Sequence, residues 1–386
     1  MTIGFSSRAA VRCSAVCVAG ALALAPSAAA ARAGTDPGTP RASASQPPLY
    51  RAGTQVRPRA GAPEVPEDVS ALSWLVADAR TGGVLAAHNA HRKLPPASTL
   101  KTLFALTVLP VLPGGIRHTV TEEELQGIGD GSSLVGVAEG RTYRVADLWR
   151  GVFLNSGNDA VHVLAAMNGG WRTTAARMQA KARALGALDT HVLSPDGYDT
   201  PGQVSSAYDL AVFGRAGLRN ADFARYCSTV EAMFPGGGGW SFEIENTNRL
   251  LTGADGVEPY PGLIGVKNGS TSNAGSTLVA AARRGGRTLI VTVMNPQAGG
   301  GFTVYEEARS LLDWGFKASG RVEPVGSLLD TRPVPAAGPA AALPVALPAT
   351  DGPGWPAAAA IAGAACLGAG IVALALRIRV GRPTRG

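Results

Sequence analysis

The sequence predicts an α+β domain in which an antiparallel sheet is covered by helices. Three observations predict it. A strand–turn–strand pattern opens the body at 72–87, apolar segments at helical spacing fill 98–218, and consecutive strand patterns at 262–294 lead into one closing helix. Strands gathered at the two ends, with helices between, argue against repeated βαβ units.

Each element has its own signal. Leu72-Ser73-Trp74-Leu75-Val76-Ala77 and Val84-Leu85-Ala86-Ala87 flank the turn residues Thr81-Gly82-Gly83, which reads as a hairpin. Ser98 to Val108 is apolar at a 3.6-residue period, after Pro95 and Pro96. Val145 to Leu154 and Asn158 to Met167 read as two helices parted by Asn155-Ser156-Gly157. Trp171 to Leu185 reads as another helix, and Ala207 to Leu218 as another capped by Ser205 or Ser206. Gly262 to Val266, Ser276 to Ala282 and Thr288 to Met294 read as strands, and Val304 to Phe316 as the last helix.

The ends of the chain differ in composition from this body. Arg8 and Arg12, the apolar stretch Cys13 to Pro26 and the small residues Ser27 to Ala31 have the pattern of a secretory signal over 1–31. Residues 32–66 are rich in Pro, Ala and Arg without apolar periodicity, and are expected to be flexible. The folded body is placed at 67–320. Residues 321–355 repeat proline often enough to act as a tether, extending by about 3.1 Å per residue. Pro356 to Leu376 carries no charge and is long enough to span a bilayer. Four arginines at 377, 379, 382 and 385 follow it and mark 377–386 as a cytoplasmic tail, with the body outside.

The net charge of +7 belongs to these ends, because seven arginines against Asp36 and Glu64 fall in the first 65 residues. The body between is slightly acidic, which sets nucleic acid aside as a partner. Of four cysteines, Cys13, Cys17 and Cys366 lie in the end segments, so the body carries only Cys227 and no internal disulfide. Cys227 reads as a small buried hydrophobe. The five histidines show no zinc-ligand spacing, and no metal or organic cofactor is expected. Gly236 to Gly239 lacks the Lys-Ser/Thr pair of a phosphate loop and reads as a flexible loop.

Three motifs could carry chemistry. Ser98 and Lys101 stand three apart at a helix start, on one face. An amine held neutral can activate a serine, and the helix N-terminus favours developing negative charge. Ser156-Gly157-Asn158 can project a hydroxyl and an amide from one short loop. Gly265-Val266-Lys267-Asn268-Gly269-Ser270-Thr271 begins as an apolar strand and becomes a polar edge. Taken singly, these read equally as a helix cap with a solvated lysine, a capped turn and an Asn-Gly hairpin.

Together and in this order they match Ser-x-x-Lys, Ser-x-Asn and Lys-Thr-Gly. The chain resembles the D-alanyl-D-alanine carboxypeptidases, low-molecular-mass penicillin-binding proteins of the serine β-lactamase/DD-peptidase superfamily. The resemblance covers roughly 70–317. It includes Ala79 to Leu85, Leu193-Ser194-Pro195-Asp196-Gly197-Tyr198, Ser206 to Ala211, Asn246 to Leu251 and Trp314-Gly315-Phe316. It implies a β-lactamase-like sheet covered by helices, with a mainly helical subdomain. It implies removal of the terminal D-Ala from peptidoglycan stem peptides through an acyl-enzyme, and acylation by β-lactams.

By motif position, Ser98 is the implied nucleophile, Lys101 its base and Ser156 a proton relay. Asn158 would hold substrate and orient Lys101, and Lys267 would attract the terminal carboxylate. The N–H groups of Ser98 and Ser270 would form the oxyanion hole. Three departures stand out. Asn268 replaces the usual Thr. Val304 stands where the family often has a carboxylate-binding Arg, which shifts that task toward Lys267, Asn268 and Thr271. No second β-rich domain precedes the membrane segment. The alternatives are a β-lactamase, although no Glu-x-x-Leu-Asn lies between the second and third motifs, and a non-catalytic peptidoglycan-binding or β-lactam-sensing receptor.

Overall fold

The computed structural model describes residues 46–329. The chain runs β1 (Thr54–Pro58), β2 (Ser73–Asp78), β3 (Gly83–His88), a 3-10 turn (Ala97–Leu100), α1 (Lys101–Val108), β4 (Arg117–Thr119), β5 (Thr142–Arg144), α2 (Val145–Leu154), α3 (Asn158–Met167) and α4 (Trp171–Ala184). It continues through α5 (Ala207–Gly217), α6 (Ala221–Cys227), β6 (Glu231–Gly237), β7 (Trp240–Glu245), α7 (Arg249–Thr252), β8 (Leu263–Thr271), β9 (Gly275–Arg284), β10 (Arg287–Met294), α8 (Thr303–Ala318), β11 (Val322–Glu323) and β12 (Gly326–Ser327).

The main sheet has the order β11-β1-β3-β2-β10-β9-β8, with β12 also on β3. Its pairings are antiparallel, as the α+β reading expected. Side chains alternate across it. Leu289, Val291 and Val293 of β10 join Trp74 and Val76 beneath Val304, Ala308, Leu311, Leu312 and Trp314 of α8. Ile290 and Met294 face the other way, into a larger core with Leu210 and Phe213 of α5, Phe104 of α1 and Trp149 of α2. Each such large apolar side chain, fully buried, contributes about 1.5–3 kcal/mol before chain entropy is counted. The helical block α2–α4 lies between the two strand-forming parts of the sequence. Helix α5 is capped by Ser206, whose side chain accepts from the Asp209 N–H.

Three expectations need correction, and one alternative is excluded. Within the stretch expected to be flexible, 32–66, Thr54–Pro58 forms β1 and pairs with β3 and β11. Its partners lie far away in sequence, so composition alone could not reveal it. The fold also runs past 320, because β11 and β12 return to the sheet. Gly236 to Gly239 is not a loose loop but the tip of the β6–β7 hairpin, where Gly238 and Gly239 take φ of +61° and +85°. A two-residue turn with both φ positive suits the twist of paired strands. Finally, Asn268-Gly269 is not a turn, since β8 continues in register to Thr271↔Gly275. The 1–31, 356–376 and 377–386 segments, and the tether from 330, lie outside the described residues. Among the described residues no helix is long and apolar enough to cross a membrane.

Candidate active site

The three motifs meet at the exposed edge of β8. Ser98 sits in the 3-10 turn and Lys101 opens α1 one turn later. Lys101 Nζ donates to Ser98 Oγ at 2.7 Å, to Asn158 Oδ1 at 2.7 Å and to the Asp196 carbonyl at 2.8 Å. The Ser98 hydroxyl makes no capping bond, and Lys101 is only 1% exposed. The cap-and-solvated-lysine reading is thereby excluded. Burial pushes the Lys101 ammonium down from its usual range to about 8, partly opposed by the charges of Asp196 and Asp159.

The backbone at this turn is forced into place. Ala97 has φ of +49°, in the left-handed region that residues with a Cβ rarely adopt. Two glycines hold it there. A Cβ on Gly197 would lie 2.0 Å from the Ala97 carbonyl oxygen, and one on Gly269 would lie 2.6 Å from the Ser98 nitrogen. Only glycine lets the 193–203 loop and the β8 edge close on Ser98 from both sides. In this first turn the N–H groups have no intrahelical acceptor, so they are open to a substrate oxygen.

Ser156 and Asn158 come from the link between α2 and α3. Ser156 also has positive φ, +58°, and its buried Oγ has no hydrogen-bond partner within the protein. Asn158 accepts from Lys101 and donates from Nδ2 to Ser132 Oγ at 2.9 Å. The neighbouring Asp159 accepts from the N–H groups of Val135, Gly136 and Val137, which pins the 129–137 loop over the site.

From β8, Lys267 is buried at 1% exposure. Burial first, then the charge of Lys101, push its pKa well down. Two buried lysines thus disfavour each other's charge, and among the described residues neither has a carboxylate within ion-pair distance. Nζ of Lys267 donates to the Asn268 carbonyl at 2.9 Å. Ser270 and Thr271 line a cavity of about 200 Å³ together with Ser98, Ser132, Asn158 and Tyr198.

Two predicted contacts are not free as expected. Asn268 Nδ2 donates to the Thr247 carbonyl at 3.2 Å, and Asn268 Oδ1 accepts from the Thr247 hydroxyl at 3.1 Å. Its amide therefore braces the wall behind Lys267. The Thr271 hydroxyl donates to Asp199 Oδ1 at 2.6 Å and accepts from the Ala274 N–H at 3.1 Å. It ties the β8–β9 turn to the 193–203 loop. Val304 is buried on α8 itself, and the arginine beside the start of that helix is Arg249 of α7, whose guanidinium lies over the Phe302 ring and whose Nη1 is 3.5 Å from the Tyr305 hydroxyl.

Sequence reasoning missed Ser132, the Asp196 carbonyl, Gly197 and Asp199. Asp196 and Gly197 had a signal in Ser194-Pro195-Asp196-Gly197-Tyr198, where Asp196 Oδ1 accepts from Ser194 Oγ and the Tyr198 N–H to shape a tight turn; Ser132 and Asp199 lie outside it. That turn aims the Asp196 carbonyl at Lys101. Cys227 is as expected: burial pushes its thiol up to about 12, which leaves it inert. Among the described residues no group of three His, Cys, Asp or Glu could hold a metal ion.

The arrangement is one for acyl transfer: a serine, a buried amine of lowered pKa against its oxygen, and a second buried lysine, Lys267, on the adjoining strand. Comparison with known proteins bears on the family. A family model described as D-alanyl-D-alanine carboxypeptidase matches residues 59–298. The carboxypeptidase DacB2 of Mycobacterium tuberculosis is 41% identical over 272 residues, covering 70% of this chain and 89% of that protein. The carboxypeptidase DacD of Escherichia coli is 35% identical over 65% of this chain and 64% of its own length. A crystal structure of a D-alanyl-D-alanine carboxypeptidase from M. tuberculosis superposes with a TM-score of 0.64 at 40% identity, covering 71% of this chain and all of that one. A Streptomyces DD-transpeptidase structure gives 0.60 at 28% identity, over 66% of this chain and 99% of its own. The family match spans more than half of the chain, and the sheet, the helices and the serine–lysine pair agree with it: this chain belongs to the D-alanyl-D-alanine carboxypeptidase family and is a serine-type carboxypeptidase of the penicillin-binding fold.

Proposed function

We propose that Ser98 is the nucleophile of this carboxypeptidase and that Lys101 is its base. The observation that carries this reading is the 2.7 Å contact between a buried Lys101 Nζ and Ser98 Oγ. When Lys101 is neutral, the hydroxyl proton passes to Nζ while Oγ bonds to the carbonyl carbon between the two terminal D-alanines. The N–H groups of Ser98 and Ser270 hold the oxyanion. Such preorganised donors are commonly worth about 2.7–4 kcal/mol each. The C–N bond then breaks. Ser156, whose Oγ has no partner within the protein, relays a proton to the leaving amine, and free D-Ala departs. Water attacks the ester with Lys101 again taking the proton, which restores Ser98.

Lys267 has the complementary task. In the empty site its charge is disfavoured by burial and by Lys101. A substrate carboxylate reverses that balance by drawing the shared positive charge to Lys267, and it leaves Lys101 as the neutral partner. Asn158 holds the substrate peptide and keeps Lys101 aimed. Thr271 and Asn268 shape the carboxylate pocket by bracing its walls.

Two substitutions separate these tasks. Lys267→Ala is expected to lower kcat/KM for a D-Ala-D-Ala peptide and the rate of penicillin acylation, because a charge-assisted contact is lost. Asn268→Thr is expected to change both by tenfold or less, in the direction of faster acylation. A threonine hydroxyl could donate to the carboxylate, whereas Asn268 Nδ2 is bonded to Thr247. One neutral hydrogen bond is worth about 0.5–1.5 kcal/mol, which bounds the effect. A silent Lys267→Ala would refute the carboxylate role.

The alternatives are separated by one label. Acylation by a fluorescent penicillin with slow loss supports the peptidase, rapid turnover a β-lactamase, and no label a non-catalytic receptor. Released D-Ala from a pentapeptide tests the activity directly.

The setting of the enzyme belongs to the same proposal: exported, with the catalytic domain outside the membrane, held by 356–376 and ended by the basic tail 377–386. The charge-free length of 356–376 and the arginines after it support this. Deleting 356–386 is expected to release soluble, active enzyme, measured as D-Ala release in the medium. A deleted chain that stays with the membrane fraction would refute the anchor.

A further inference from the structure

The described residues 46–329 are close to neutral as a whole, yet five of their arginines gather around one cavity. It lies at the far end of β8 from Ser270, encloses about 420 Å³ and has Ile264 in its wall. Arg80 enters from the β2–β3 turn, Arg215 and Arg219 from the end of α5, Arg225 from α6 and Arg283 from the end of β9. Leu218, Ala224 and Ile264 supply apolar wall between them.

These charges are poorly compensated. Arg225 pairs with Asp222 at 2.6 Å. Among the described residues, the side chains of Arg80, Arg215, Arg219 and Arg283 have no carboxylate within ion-pair distance. Asp78 is the other nearby acid, and its Oδ1 is spent on the N–H groups of Arg80 and Thr81. Arg215 is held rigidly, donating from Nε to the Ala79 carbonyl at 2.8 Å and from Nη2 to the Arg80 carbonyl at 3.1 Å. Burial first, then the charge of Arg219, push its pKa down, while Asp78 pushes it up. Like charges crowded on fixed backbone favour a multivalent anion. Guanidinium forks match the paired oxygens of a phosphate better than they match a spherical monovalent halide.

The cavity also lies beside the last described residue, Leu329. Leu329 and Arg215 both pack against Gly82, with Leu329 Cγ 3.0 Å and Arg215 Nε 3.6 Å from where a Cβ would stand. Beyond Leu329 the chain leads on to the apolar segment 356–376.

We propose that this arginine-lined cavity is a phosphate-binding site, taking a phosphomonoester or phosphodiester group, and that the headgroup of an anionic phospholipid is its source. The headgroup source rests on the anchor reading given above; the phosphate site does not.

The test uses the full chain in a neutral detergent, titrated calorimetrically with inorganic phosphate and with short-chain phosphatidylglycerol. Saturable binding is expected, tighter for phosphatidylglycerol. In the double variant Arg80→Gln/Arg219→Gln it should weaken at least tenfold, while D-Ala release stays unchanged. Both side chains are exposed and carry no backbone contact, so the variant should unfold at the same temperature as the parent. Phosphate binding tighter than phosphatidylglycerol binding would keep the site and overturn the headgroup source. Absence of saturable binding of either ligand, or binding that the double variant leaves intact, would overturn the proposal.

Discussion

Replacing Ser98 by Ala is expected to bring D-Ala release and covalent penicillin labelling below detection, a loss of roughly 10³-fold or more. The change removes one oxygen atom from a site otherwise left whole. Lys101 keeps two of its three acceptors, Asn158 Oδ1 and the Asp196 carbonyl. The turn itself is held by Gly197 and Gly269 against Ala97 and Ser98 backbone, which the substitution does not touch. Thermal unfolding should therefore move little, and the loss can be read as chemistry and not as misfolding. Ser156, Ser270 and Thr271 are the other hydroxyls placed by the motifs at this site, and the buried Oγ of Ser156 has no hydrogen-bond partner within the protein. Mass spectrometry of the labelled parent should find the adduct on Ser98. An adduct on Ser156, or labelling that survives Ser98→Ala, would reassign the nucleophile.

Much of this site was legible because its chemistry is local in sequence. Ser98 and Lys101 meet within one helical turn, and Ser156 and Asn158 within one short link, so spacing alone places each pair. Helices α2 and α3 were legible to the residue, since their apolar periodicity stops at Asn155-Ser156-Gly157. Contacts made across the fold left weaker signals. The strand β1 has polar residues and a proline, and becomes a strand only because β3 and β11 offer it edges. Asn268-Gly269 has the composition of a turn, yet β9 pairs with it residue by residue and the sheet overrides the local preference. The positions of Gly197 and Gly269 could be read as glycine, but not the reason, which is the backbone of Ala97 and Ser98 beside them. Asn268 shows the same limit. Its place in the motif implies a contact with substrate, while its neighbours Thr247 and Lys267 use its amide to build the wall.

The pH dependence of acylation follows from how Lys101 is held. Its pKa lies at about 8 because burial disfavours the ammonium more than Asp196 and Asp159 support it. The base is the deprotonated form. Acylation should therefore rise with pH, approach a plateau above that value, and fall about tenfold per unit well below it. Between pH 7 and pH 9 the neutral fraction grows by about tenfold for a single group of that pKa. Penicillin acylation rates measured over this range, with the fold checked at each pH, should trace that curve. Lys101→Met keeps the side chain's length and apolar stem but removes the titrating nitrogen. It is expected to slow acylation by about 10²–10⁴-fold, the usual reach of a positioned base, and to flatten the rise between pH 7 and pH 9. The two results must come together. A variant that lost activity but kept the parent's pH profile would mean that another group sets it. Lys267, whose pKa is also depressed, would then be the base to test.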